Sequence, residues 1–93
     1  MGTAYIKGVR SGHKRVADAL LRYLKVHGRR ILSNAEGQKE VKIEIRALFR
    51  YYEREGQGDK LMDHIGGFSW RGCRVEGGYV VVPTSLVREV VGG

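Results

Sequence analysis

Lysine and arginine are the side chains of this sequence most suited to chemistry, and their spacing decides which chemistry. Lys7, Arg10, Lys14, Arg15, Arg22, Lys25, Arg29 and Arg30 stand in the first 34 residues against one carboxylate, Asp18. The chain's net charge is +7, and its other 59 residues, with nine basic and nine acidic side chains, add nothing to it. Uncompensated cations at one end attract polyanions by neutralising phosphates and releasing their counterions. Solubility alone requires charge but not its segregation. The pattern predicts binding to nucleic acid.

The remaining reactive residue types are scattered. His13, His27 and His64 have no partner at the i, i+4 spacing of helical metal ligands, so they read as ordinary surface histidines and no metal site is expected. Asp63-His64 and Cys73 supply the types of a nucleophilic site. Neighbours on a helix point in different directions, however, and Cys73 falls on an inward strand face. Glu44, Glu53, Asp59 and Asp63 show no nuclease spacing. No enzyme activity, cofactor or small-molecule substrate is expected. Tyr51, Tyr52, Phe68, Trp70 and Tyr79 could stack on unpaired bases, with Tyr51 and Tyr79 the most exposed of them.

A length of 93 residues admits one domain, since two cores would each be too small to outweigh chain entropy. An apolar share of 42% with 29% charged residues suits a folded, water-soluble chain. No apolar run approaches a membrane span, and MGTAYIKGVR lacks the apolar stretch of a secretory signal. One cysteine permits no internal disulfide, so the cytoplasm is the expected compartment. Few amide side chains (Asn34, Gln38 and Gln57) in so charged a chain suit a hot environment.

The elements that position these residues follow from periodicity. Residues 1–12 read as an arm or edge strand, with Tyr5 and Ile6 β-prone. Ser11 can cap a helix whose buried stripe is Val16, Ala17, Leu20, Leu21 and Leu24, and Gly28 supplies its stop. On the opposite side Arg15, Asp18, Arg22, Lys25 and Arg29 form a basic ridge. RILS (30–33) is a short strand or turn. A second helix is predicted from Gln38 to Glu55 on the spacing of Val41, Ile45, Leu48, Phe49 and Tyr52. The alternation of Val41, Ile43 and Ile45 competes with it.

After Gly56-Gln57-Gly58, Asp59 caps a short helix that turns Leu61, Met62 and Ile65 inward and ends at Gly66-Gly67. Gly77-Gly78 marks a hairpin that pairs Glu76 with Tyr79, Val75 with Val80, Arg74 with Val81 and Cys73 with Val82. One face then holds Cys73, Val75, Val80 and Val82. The other holds Arg74, Glu76, Tyr79 and Val81. Pro83 ends the strand, and 84–93 form a last short helix and glycine tail.

The fold class expected is therefore α+β: three helices, a C-terminal β-hairpin and a short terminal helix. By order of elements, residues 13–83 resemble a winged helix-turn-helix domain. The resemblance makes Gln38–Glu55 and Asp59–Gly66 the helix pair and the Gly77-Gly78 hairpin the wing. It implies DNA binding, with the second helix of the pair in the major groove. That helix, DKLMDHI, is nearly neutral here, although Gln57, Lys60, Asp63 and His64 could reach base edges.

The sequence thus predicts a small double-stranded DNA-binding protein, a transcriptional or architectural factor acting as a homodimer. Phosphate contacts are expected from Lys7, Arg10, Lys14, Arg15, Arg22, Lys25, Arg29 and Arg30, with Lys60, His64, Arg71 and Arg74 adding to them. Two other readings compete. One is a protein-interaction adaptor of winged-helix type, and the other is an RNA or single-strand binder.

Overall fold

The computed structural model describes the backbone of residues 2–52 and 58–92, and the side chains of 13–52 and 61–92. Helix α1 (Gly2–Asn34) is followed by strand β1 (Glu40–Glu44) and a 3₁₀ helix, η1 (Ile45–Tyr51). Helix α2 (Gly58–His64), strands β2 (Ser69–Trp70), β3 (Cys73–Glu76) and β4 (Tyr79–Pro83), and helix α3 (Thr84–Gly92) complete the chain. The fold is α+β. Its four strands form one antiparallel sheet in the order β1-β4-β3-β2, and the helices cover one face of it.

Helix α1 departs from expectation at both ends. Residues 2–12, predicted as an arm or edge strand, belong to it, and Ser11 is internal rather than a cap. Extending an existing helix adds a hydrogen bond for each residue fixed, whereas starting a new element requires a costly nucleus, so Tyr5 and Ile6 follow the helix. Gly28 does not end the helix, because its role is one of space. A Cβ built there would lie 2.4 Å from Cγ1 of Val91 and 3.3 Å from Cγ1 of Val87. The missing side chain lets α3 lie directly on α1. RILS is helical too, with Ile31 and Leu32 packed against the core. The helix closes in the bond from Ala35 N–H to the Ile31 carbonyl, and Gly37 makes the turn beyond it at φ +86°.

Where a second helix, Gln38–Glu55, is predicted, residues 40–51 form strand β1 followed by η1, and residues 53–55 lie outside the described residues. Val41, Ile43 and Ile45 are buried and alternate with exposed Lys42 and Glu44, which is strand periodicity. Non-local pairing outweighed the helical spacing. Val41 opposes Val82 and Ile43 opposes Val80, so β-branched pairs close the inner face. The turn into η1 is held by Ile45 N–H donating to the Gly78 carbonyl at 3.0 Å. At the other end of β1, Thr84 N–H donates to the Lys39 carbonyl, and the Thr84 hydroxyl reaches the carbonyls of Gln38 and Lys39. Leu48 and Tyr52 then drop into the core from η1 and its end.

The hairpin register matches expectation for Arg74–Val81, Val75–Val80 and Glu76–Tyr79. Gly77 takes φ +59° at the first loop position, the position a tight two-residue turn gives to glycine. A second tight turn, Arg71-Gly72, has positive φ at both residues (50° and 87°) and adds β2 to the sheet. Three further details differ from expectation. Leu21, expected in the buried stripe of α1, is half-buried and stands outside the core cluster. Met62 is exposed, while Leu61 and Ile65 on the same helix are buried. Val81, on the outer face, is only 1% exposed and lies outside the main core cluster, opposite Lys42 and Arg74 in the register. The stems of such long side chains can cover apolar surface while their charges stay in water.

Cys73 is buried as predicted, and burial pushes its thiol well above the ordinary cysteine range, up to about 11, with Arg71 opposing the shift. The sign follows from linkage. The folded state favours the neutral thiol, so its contribution is fully present below about pH 9 and is lost as the pH rises towards 11. By pH 10.5 the loss reaches ~2 kcal/mol. Melting Cys73→Ala beside the parent chain at pH 8 and pH 10.5 checks this, because the variant should lose less stability over that interval. Equal losses would place the thiol outside the core.

Candidate nucleic-acid interface

Helix α1 has two working faces. Val16, Ala19, Leu20 and Leu24 are fully buried, and Ala17 nearly so. Lys14, Arg15, Asp18, Arg22, Lys25, Arg29 and Arg30 are exposed. Arg15, Arg22 and Arg29 stand seven residues apart, and seven residues bring a helix almost back to the same side, so they fall nearly in line. The predicted ridge is therefore present on α1. Lys7 and Arg10 belong to the same helix, but their side chains lie outside the described residues.

The structure adds to this ridge a second source of charge. η1 packs beside α1 and carries the exposed Arg46 and Arg50. Between the two elements opens a cleft of about 460 Å³ lined by Tyr23, His27, Arg46, Ala47, Phe49, Arg50 and Tyr51, with no described carboxylate in its wall. The Arg22 guanidinium donates to the Tyr51 carbonyl at 3.4 Å, linking ridge and cleft. Among the described residues Lys14, Lys25, Arg29, Arg46 and Arg50 have no carboxylate within ion-pair distance.

The aromatic wall is organised by hydrogen bonds. Arg30 lies 3.0 Å from Nδ1 of His27, and Nε2 of His27 lies 3.1 Å from the Tyr51 hydroxyl. A guanidinium only donates, so Nδ1 accepts and Nε2 carries the proton of the neutral ring. Tyr51 then accepts from Nε2, and its own hydroxyl proton remains to be donated. The Tyr23 and Tyr51 rings meet edge to face at 5.8 Å and 86°, while Tyr23 and His27 are tilted by 41° at 4.6 Å.

Several predicted contact residues are placed elsewhere. Arg74, on the outer sheet face, donates from Nε to Glu76 at 2.6 Å and from Nη1 to Glu40 at 2.9 Å. This bonding holds the Glu40 carboxyl below the usual carboxylate range. Arg71 pairs with Glu89 at 3.0 Å and lies over the Trp70 ring. Both hairpin arginines are thus neutralised locally. His64 does not point outward; its Nδ1 is bonded to the hydroxyl of the buried Tyr52. Lys60 belongs to α2, but its side chain lies outside the described residues, as does Gln57.

The histidines expected at the surface each join two elements. His13 bonds the Gly66 carbonyl at 3.1 Å and meets Phe68 edge to face, His27 joins α1 to η1, and His64 joins α2 to the end of η1. Of the two tyrosines expected outside, Tyr79 is exposed beneath Lys42, while Tyr51 is half-buried in the cleft wall. Among the described residues no group of three or more His, Cys, Asp or Glu is placed to hold a metal ion, and no helix is long and apolar enough to cross a membrane.

Sequence reasoning missed Arg46, Arg50, Tyr23 and His27 as parts of one site. Arg46 and Arg50 fall in the stretch whose charges balance, so a count along the chain conceals them. The folding of η1 onto α1 brings them beside Tyr23 and His27. Comparison of the chain with protein-family models, with curated proteins and with solved structures finds no match, so the reading of this surface rests on its own geometry.

Proposed function

We propose that this protein binds nucleic acid through the outer surface of α1 and the adjoining η1. One observation carries the reading. Six cations of α1 (Lys14, Arg15, Arg22, Lys25, Arg29 and Arg30) are exposed along the helix, two of η1 (Arg46 and Arg50) stand beside its Arg22 edge, and Asp18 is the one described carboxylate on that stretch of α1. The hairpin arginines Arg71 and Arg74 are bonded to glutamates. A surface of this kind grips phosphates and fixes position without reading sequence.

The helix pair that would carry a winged-helix protein into the major groove has no counterpart in residues 38–52, which form β1 and η1. The preference for duplex DNA rested on that pair. Phosphate contacts from α1 serve a duplex or a single strand alike, so the proposal is nucleic-acid binding as such.

A titration of fluorescently labelled oligonucleotide against salt is the test. If roughly five of these cations contact phosphates, the logarithm of the affinity should fall against the logarithm of salt concentration with a slope of about −3.5 to −4.5. A flat dependence, or no binding to any nucleic acid at about 0.05 M salt, would leave the protein-interaction reading in its place.

A further inference from the structure

We infer that the cleft between α1 and η1 receives an unpaired nucleotide, so that the polymer on the cationic face is single-stranded. The inference rests on the nucleic-acid reading above and specifies its ligand. A convex ridge of cations is enough to hold a duplex, but it does not account for a concave aromatic pocket beside it. Bases in a duplex are stacked on one another, and their faces are closed to side chains. Bases in a single strand offer those faces, and aromatic rings flanked by cations are the surface that takes them.

The cleft has both halves of such a site. It is an open groove of about 460 Å³ rather than an enclosed cavity, a shape a strand can cross. Tyr23, His27 and Tyr51 form its aromatic wall, and their edge-to-face and tilted packing keeps them from stacking face to face on one another. Arg46 and Arg50, in the same lining, have no described carboxylate to satisfy them. The Tyr51 hydroxyl accepts from His27 and therefore keeps a proton to donate to a base edge or a phosphate. Continuity with Arg22 lets the strand leave the cleft along the α1 ridge.

The test compares a labelled oligonucleotide of roughly 12 residues as oligo-U, as oligo-dT and as a duplex of the same length, in one buffer. Either single strand should bind more tightly than the duplex, and a preference for oligo-U over oligo-dT would assign the strand to RNA. Tyr23→Leu should weaken single-strand binding by about 5- to 100-fold with an unchanged salt slope, whereas Tyr23→Phe should retain it. Arg46→Ala with Arg50→Ala, both at exposed positions, should weaken the strand and lower the magnitude of its slope by about 1.4. Duplex binding equal to or tighter than the strand, or indifference to both the tyrosine and the arginine variants, would overturn the cleft while leaving the ridge intact. Failure of every probe to bind would instead defeat the nucleic-acid reading itself.

Discussion

Replacing Lys14, Lys25 and Arg29 together by glutamate is expected to weaken nucleic-acid binding by roughly a hundredfold or more near 0.1 M salt, while the fold is retained. Each of the three is exposed and without a described carboxylate partner, so its cost to stability should stay within about 0.5 kcal/mol. Reversal also turns three attractive sites into repulsive ones, which is why the effect should exceed that of alanine at the same positions. The salt slope should lose about 2 to 3 of its magnitude. Anisotropy titrations at two salt concentrations, with a melting curve for each protein, measure both quantities. Retained affinity and slope in a folded variant would remove α1 as the contact surface.

The second large effect concerns the core. Ile43→Ala should destabilise the protein by about 2–5 kcal/mol, because Ile43 is 4% exposed and faces Val80 across the β1–β4 ladder. In a helix over the same residues Ile43 would stand off the stripe formed by Val41, Ile45 and Leu48, and its truncation would cost little. Lys42→Ala, on the outer face, is the control, with an expected change below about 1 kcal/mol from the loss of its contact with Tyr79. Urea unfolding of the two variants measures the difference. A change near zero for Ile43→Ala would mean that residues 40–44 are not a strand.

These two variants also mark how far the fold and site were legible in the sequence. Local signals located what depends on nearby residues: the buried stripe of α1 apart from Leu21, the Gly77-Gly78 turn with its three nearest pairs, the inward Cys73 and the terminal helix. The alternation of Val41, Ile43 and Ile45 was visible too, but choosing it over the helical spacing required knowing that β4 would lie alongside. Gly28 misled for a similar reason. A glycine in a helical pattern signals either an end or a close approach, and only the distant α3 decides which. For the site, the sequence identified the ridge, which is local, and overstated Arg71 and Arg74. Their partners Glu89 and Glu40 are 18 and 34 residues away along the chain.

The tie between α1 and η1 has a thermodynamic corollary. Tyr51 meets His27 from 24 residues away and Arg22 from 29, so the pocket wall exists only once those two segments have come together. A denatured chain keeps the linear run of positive charge and retains some hold on polyphosphates, but it has no pocket. A ligand that occupies the pocket therefore favours the native state by the margin of its affinity for the assembled wall over its affinity for the bare run of charge. Ligands gripping charge alone would shift the melting point little, and those seated among the rings would raise it, so heat can sort the two kinds of binding.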